Sequence, residues 1–299
     1  MSNIYKTEIP NYTCKRGKVR EIYSLGETLL LIITTDRISA FDYVFPNTTI
    51  PDKGRVLQGL SLYWADLLNV NYHLISADLN QMPEDFRKPE FEGRAMLVEK
   101  AEVIPFECVV RGYLAGSAWK EYQQTGSVCD ITLPKGLKEN QQLIKPIFTP
   151  ATKVDNGHDQ NVTFDYMSTK IGLDLTAELE IMSLEIYKDA AEIAWNNGII
   201  IADTKFEFGV MPHAGNTLIL IDEILTPDSS RFWPLEDYRL DGPINSFDKQ
   251  FVRNWVSQSG WDKNSEPPPL PEDVVMQTRD KYLEAYEKIT GQSLCKSKN

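Results

Sequence analysis

Residues 198–234 constrain this chain more than any other stretch. They read Gly-Ile-Ile-Ile-Ala-Asp-Thr-Lys-Phe-Glu-Phe-Gly, then a short loop holding Pro212 and Gly215, then Thr-Leu-Ile-Leu-Ile-Asp-Glu-Ile-Leu-Thr-Pro-Asp-Ser-Ser-Arg-Phe-Trp-Pro. Two apolar, β-branched runs around a Pro- and Gly-containing loop predict a β-hairpin. Strand side chains alternate faces, so Asp203, Lys205 and Glu207 share one face while Thr204, Phe206 and Phe208 share the other. The aromatics mark the packed side, which leaves acid, base and acid on the opposite one. If Asp222 on the second run stands across from Glu207, two carboxylates meet. Like charges placed opposite each other destabilise a sheet. Mg²⁺ would relieve that repulsion, since it takes one or two carboxylates together with substrate phosphates. The plain alternative is a solvated face on which Lys205 bridges two acids. Hairpin register cannot be read from sequence, so both readings stand open.

The flanking segments predict how this strand pair is supported. A helix over 177–197, with Leu179, Met182, Ile186, Ala190 and Ile193 on one side, stops at Asn197-Gly198 and delivers the chain into the strand. A second helix is expected over 55–70, from the spacing of Val56, Leu60, Tyr63, Trp64 and Leu67. Strands are expected at 18–23 and 28–35 around Gly26, at 95–98 and at 108–111, and short helical periodicity follows at 116–125. Residues 133–162 show no period and read as a long loop. The run 265–271, with Pro267, Pro268, Pro269 and Pro271, reads as a stiff linker to a last helix over 272–290. This mixture predicts an α+β fold. Three parts are expected: a β-rich, nucleotide-covering part at 1–99, an α+β catalytic part at 100–264, and the linker and helix at 265–299.

Charge narrows the function classes. The net charge of −12 opposes non-specific binding to nucleic acid or to an anionic membrane, both of which need a basic surface. A phosphorylated ligand would need a local Lys/Arg pocket. No 18-residue apolar run and no secretory leader are found, so a cytoplasmic protein is expected. Cys14, Cys108, Cys129 and Cys295 lack metal-site spacing and read as free or buried thiols.

Three local patterns could hold anions. Lys15-Arg16-Gly17-Lys18-Val19-Arg20 puts basic side chains and a permissive Gly just before a strand, in the manner of a turn that covers nucleotide phosphates. A solvated basic turn would look the same, and neither a P-loop nor a Gly-x-Gly-x-x-Gly pattern is present. In Arg111-Gly-Tyr-Leu-Ala-Gly-Ser117 a strand ends in Arg111 and a helix opens near Ser117, whose free N–H groups favour an anion. The simpler reading makes Ser117 a helix cap. Asp228-Ser229-Ser230-Arg231 offers a guanidinium and hydroxyls, or merely a turn. Lys153, Gly157, His158 and Asp159 lie in the aperiodic loop and could close over a ligand. Together these pieces describe an ATP-using enzyme whose second substrate is phosphorylated.

Residues 103–117, Val-Ile-Pro-Phe-Glu-Cys-Val-Val-Arg-Gly-Tyr-Leu-Ala-Gly-Ser, and 202–209, Ala-Asp-Thr-Lys-Phe-Glu-Phe-Gly, resemble two signatures of the phosphoribosylaminoimidazole-succinocarboxamide synthase (SAICAR synthetase) family. Gly17-Lys18-Val19-Arg20, Thr35-Asp-Arg-Ile-Ser-Ala-Phe-Asp42 and Asp248-Lys-Gln-Phe-Val-Arg253 are similar to further landmarks in the expected order. Phe148-Thr149-Pro150 and the length resemble the longer, fungal-type members, which favours a monomer. The resemblance implies a ligase that joins the carboxylate of carboxyaminoimidazole ribonucleotide (CAIR) to L-aspartate, with ATP going to ADP and phosphate. It implies Gly17, Lys18, Arg20 and Glu99 for ATP, and Glu207 and Asp222 for Mg²⁺. It also implies Arg111, Ser117, Asp228, Ser230, Arg231 and Arg253 around the ribonucleotide, and Lys153 and Asp159 on the closing loop. Lys205, Asp203 and Lys18 would be catalytic. Two other classes compete: a small-molecule kinase on a related scaffold, and a non-catalytic nucleotide-binding module. The kinase reading lacks His-Arg-Asp and Asp-Phe-Gly motifs and leaves the second anion pocket unexplained.

Overall fold

The computed structural model describes residues 3–41, 43–153, 160–247, 249–262 and 265–294; Asp42, Gly157, His158, Asp159, Asp248 and Cys295, all named above, lie outside the described residues. The chain opens with strands β1 (Cys14–Arg16), β2 (Arg20–Leu25) and β3 (Leu29–Thr34), the small hairpin β4 (Arg37–Ala40) and β5 (Tyr43–Thr49), helix α1 (Lys53–Leu67), β6 (Leu74–Ser76) and β7 (Ala95–Glu99). It continues through β8 (Glu102–Tyr113), α2 (Gly116–Thr125), β9 (Ser127–Val128), β10 (Ile131–Thr132), β11 (Gln142–Phe148), β12 (Ala151–Thr152), α3 (Phe164–Ile171) and α4 (Leu173–Asn196). It ends with β13 (Ile199–Met211), β14 (Thr217–Ile221), β15 (Ser230–Pro234), α5 (Gln250–Gln258) and α6 (Glu272–Thr290). Two antiparallel sheets dominate: β1-β2-β3-β7-β6, and β11-β8-β13-β14 with β12 added to β8 and β15 to β13. The α+β expectation is met.

β13 is the central strand of the larger sheet. Its alternation places Thr204, Phe206 and Phe208 on the buried face and leaves Asp203, Lys205 and Glu207 half-buried on the other. Beneath it, Phe206 and Phe208 share one core cluster with Val56, Leu60 and Trp64 of α1, Leu179, Ile186 and Ala190 of α4, and Tyr282, Ala285 and Ile289 of α6. Fully burying a Phe side chain stabilises by roughly 1.5–3 kcal/mol, so this face holds β13 rigid below its charged side. α1 thus crosses from the N-terminal segment into the main core. The two sheets also join directly: Tyr72 bridges Leu220, and the N–H of His73 donates to the Leu220 carbonyl at 3.1 Å.

Three expectations need correction. Glu207 stands opposite Ile221, not Asp222, which lies one residue beyond the end of β14. The carboxylate facing Glu207 across a strand pair is Glu107 of β8. The hairpin is also more than two strands, because β14 pairs with the C-terminal half of β13 while β15 returns to its N-terminal half. Finally, 133–162 is not a structureless loop. It carries β11 and β12 on the edge of β8, hidden from sequence because Pro146 and a register shift between Gln142 and Ile147 break the alternation.

Candidate active site

A cleft of about 640 Å³ opens between the two sheets, with the charged face of β13 among its lining. Lys18, Arg20, Ile22, Leu30 and Ile32 line it from the smaller sheet, His73 and Glu99 from the junction, and Glu107, Asp203, Lys205, Glu207 and Asp222 from the larger one. Gly17, Lys153, Asp228, Ser230, Arg231 and Arg253 complete the predicted residues that line it. Arg111 and Ser117 lie just behind Asp203, and Asp159 is outside the described residues.

The floor is a lattice of alternating charge. Lys205 Nζ pairs with Glu107, and Lys153 Nζ pairs with Glu207. Arg20 bonds Asp222 at 2.8 Å and Glu223 at 3.1 Å. Burial alone would lower the Lys205 pKa, but Glu107 and Glu207 outweigh it and keep the ammonium charged. Burial would raise Glu207; Lys153, Lys205 and Arg20 bring it below the usual carboxylate value instead. Asp222 behaves oppositely. Its carboxyl is pushed up to about 6, chiefly by burial, with the charges of Glu207 and Glu223 adding to the push and Arg20 opposing it.

Asp222 lines the same cleft as Glu207, near enough for their charges to interact, although the register does not pair them. Its φ of 65° lies in the left-handed region and ends β14. Among the described residues no three His, Cys, Asp or Glu side chains form a ready-made metal cage. Mg²⁺ does not need one, since it retains water and takes one or two carboxylates beside substrate phosphates. The raised carboxyl of Asp222, crowded by Glu207 and Glu223, is a donor set that a divalent cation would relieve. The residues therefore fit Mg²⁺.

At the other end of β13 the anion-pocket reading gains geometry. Asp203 pairs in register with both Arg111 of β8 and Arg231 of β15. The two guanidinium groups approach its Oδ2 at 3.7 and 3.6 Å, yet among the described residues this buried oxygen has no hydrogen-bond partner. Ser117 is not the helix cap: Ala115 holds that position, and the Ser117 hydroxyl accepts from Arg111 Nη2 at 3.2 Å. Gly116, at φ 59°, lets Arg231 lie over the start of α2; a Cβ there would come within 2.5 Å of Arg231 Nη2. Two guanidiniums, a hydroxyl and a helix N-terminus thus converge.

The basic Gly turn is fixed from its buried side. Arg37 donates from Nη2 to the Gly17 carbonyl and from Nε to the Lys18 carbonyl, both at 2.9 Å, and from Nη2 to that of Arg20 at 3.3 Å. Thr35 supplies both its N–H and its hydroxyl to the Val19 carbonyl at 2.8 Å. Four consecutive carbonyls are thereby anchored, which a merely solvated turn would not require.

Asp228 lines the cleft, but its carboxylate is already engaged. Oδ2 accepts from Lys53 at 2.8 Å and pairs with Lys249 at 3.1 Å, and Oδ1 accepts from the Tyr282 hydroxyl at 2.5 Å. Burial would raise its pKa; Lys249, Lys53 and Tyr282 bring it far below the usual value instead. The Ser230 hydroxyl bonds Thr204 at 2.8 Å. Sequence reasoning missed Tyr72, His73, Glu107, Glu223, Lys53, Lys249 and Tyr282. Lys249 had a signal, since it begins the helical turn that carries Arg253. Glu107 lay in the quoted 103–117 run without a role assigned to it, and for the others the only signal is three-dimensional.

The comparisons with known proteins agree with one another. The SAICAR synthetase sequence profile matches residues 13–268. A phosphoribosylaminoimidazole-succinocarboxamide synthase of Rhodopirellula baltica is 49% identical over 316 residues, covering 97% of this chain and 96% of the relative. The solved SAICAR synthase of Saccharomyces cerevisiae, complexed with SAICAR, superposes with a TM-score of 0.89 at 41% identity, over 97% of this chain and 99% of its own. A second solved SAICAR synthetase, in complex with ADP, superposes with a TM-score of 0.69 at 26% identity, over 94% of this chain and 99% of its own.

Proposed function

The chain belongs to the SAICAR synthetase family, and we propose that its cleft divides one ATP-dependent ligation among three sets of residues. The reaction joins the carboxylate of CAIR to the amine of L-aspartate to give SAICAR, with ATP converted to ADP and phosphate, in purine biosynthesis. A carboxylate repels nucleophiles and must be activated. In the route we favour, a CAIR carboxylate oxygen bonds the γ-phosphorus as the β,γ-bridging bond breaks and ADP departs. The aspartate amine then attacks the acyl carbon, phosphate leaves with that oxygen, and the amine loses its proton.

This reading is supported by one cleft that is lined by the anchored basic turn and by Arg231, with Arg111 and Ser117 behind Asp203 and the acid-base-acid strand between the two groups. We assign the anchored turn of Gly17, Lys18 and Arg20 to the ATP phosphates, and Glu99, at the sheet junction, to the adenine side. We assign Arg111, Ser117, Ser230 and Arg231 to the phosphate and ribose of CAIR. Asp203 and Lys205 then orient the imidazole and its carboxylate, with Lys205 and Lys18 facing the charge of the transferring group. Glu207 and Asp222 would hold Mg²⁺, which when bound supplies neutralising charge to the β- and γ-phosphate oxygens. Lys153 and Asp159 belong to the closing loop. Asp228 serves the CAIR side indirectly, by holding Lys249 a helical turn before Arg253. The SAICAR bound in the yeast relative and the ADP bound in another support the choice of ligands. The family membership favours the ligase over the kinase and binding-module readings. We place the enzyme in the cytosol as a monomer, a compartment that keeps the described thiols Cys14, Cys108 and Cys129 reduced. No helix among the described residues is long and apolar enough to cross a membrane.

Oxygen labelling tests the route. With ¹⁸O in the CAIR carboxylate, one labelled oxygen should appear in the released phosphate; phosphate free of label would remove the acyl phosphate. The turn has its own test in Arg37→Lys, which keeps the charge but loses the fork. Losing one or two bonds worth about 1 kcal/mol each should raise KM for ATP roughly tenfold while KM for CAIR stays unchanged. Equal rises in both constants would show that Arg37 supports the fold generally.

A further inference from the structure

Asp222 sits in the left-handed region, which costs most residues with a side chain roughly 1–2 kcal/mol and an Asp less, and two side chains fasten its backbone there. The holders come from about 150 positions away in the chain. The Tyr72 hydroxyl donates to the Asp222 carbonyl at 2.5 Å, and the Asp222 N–H donates to His73 Nε2 at 3.2 Å. Both backbone polar groups of one residue are thus taken by two neighbouring side chains. An accepting Nε2 requires a neutral ring with its proton on Nδ1, and burial favours the neutral form.

The holders are themselves fixed on two sides. Towards the larger sheet, the His73 N–H donates to the Leu220 carbonyl at 3.1 Å, and the Leu220 N–H donates to the Asn71 carbonyl at 2.9 Å. Asn71 Nδ2 also donates to the Leu218 carbonyl at 3.0 Å. Towards the smaller sheet, the Glu99 N–H donates to the His73 carbonyl at 2.9 Å. One short segment therefore spans from the junction strand carrying Glu99 to the turn carrying Asp222.

We propose that Tyr72 and His73 are positioning residues that clamp Asp222 in its left-handed conformation, so that its carboxylate faces Glu207 and the pair can take a divalent cation beside the nucleotide. This rests on the reading of Asp222 as a Mg²⁺ ligand. Neither side chain touches the cation. Each acts on the backbone of a ligand, and loss of such a support typically weakens metal affinity by about 10- to 100-fold.

The test measures Mn²⁺ binding in the presence of ADP, by the paramagnetic resonance of free Mn²⁺, on the full chain. The variants are Tyr72→Phe, His73→Phe, His73→Gln and, as a reference, Asp222→Asn. Tyr72→Phe and His73→Phe should each raise the Mn²⁺ Kd by about tenfold or more. His73→Gln, whose amide oxygen can still accept the Asp222 N–H, should recover part of that loss. Tyr72→Phe keeps the ring and so keeps the fold readable if His73→Phe proves unstable. If Asp222→Asn loses Mn²⁺ while Tyr72→Phe and both His73 variants bind it like the parent protein, the clamp is overturned and the metal assignment survives. If Asp222→Asn itself binds Mn²⁺ normally, the metal assignment falls and takes the clamp with it.

Discussion

Replacing Lys205 by Met should lower kcat by about 10²- to 10³-fold, the usual loss when one preorganised group is removed from developing charge. Lys205 has one task if the floor works as proposed, which is to keep a cation at the centre of the cleft. β13 is held on both edges and packed beneath by Phe206 and Phe208, so the Cα beneath that cation does not wander. Glu107 pairs with the ammonium and keeps it charged. In Lys205→Met, Glu107 loses its ion-pair partner while it still faces Glu207, whose remaining partner is Lys153, so repulsion between the two carboxylates adds to the lost attraction. Lys205→Arg restores charge but spreads it over a planar fork, so only part of the rate should return. The measurement is kcat under saturating ATP, CAIR and aspartate, with circular dichroism to confirm the fold. A kcat close to that of the parent enzyme in Lys205→Met would remove Lys205 from the chemistry.

Lys53→Met should produce the largest loss of stability, about 3–5 kcal/mol, because it strips one partner from a buried ion pair. Lys53 is fully buried at the start of α1, bonds Asp228 at 2.8 Å and lies over the Tyr282 ring at 5.7 Å from its centroid. Lys249 and the Tyr282 hydroxyl still reach Asp228 in the variant, which argues for the lower end of that range. The effect should depend on pH in a definite direction. The folded pKa of Asp228 is depressed, so its stabilisation is complete above the ordinary carboxylate pKa of about 3.9 and is lost as pH falls towards the folded value. The stability gap between parent and Lys53→Met, read by denaturant titration, should therefore hold steady near neutrality and narrow below about pH 4. A gap that widens in acid would mean that Asp228 is not the partner that matters.

How far the sequence foretold this site follows from chain distance. The alternation of β13 was legible because each of its residues carries its own facing information, and the burial pattern repeats it. The Arg111–Ser117 pocket was legible because strand end, small residues and helix start are contiguous. The partner of Glu207 was not, because register depends on which strands pair. Glu107 lies 100 positions earlier, inside the 103–117 run already noted, but nothing in that run says that its strand pairs with β13 or in which register. Asp222 was found as a carboxylate but misplaced, since a left-handed residue after a strand changes its direction without leaving a trace beyond its being an Asp. Tyr72 and His73 carry no motif at all. The expected loop at 133–162 failed for a physical reason, because an edge strand with a proline and a register shift loses the alternation by which strands are recognised.

A paired assay of ADP release with purified protein, ATP and Mg²⁺ tests the ligase activity most directly. ADP should form only when CAIR and L-aspartate are both present, in equal amount to a product in which the two are joined by an amide. ADP formed at the full rate without aspartate, with a phosphorylated small molecule as product, would contradict the account and return the cleft to the kinase reading.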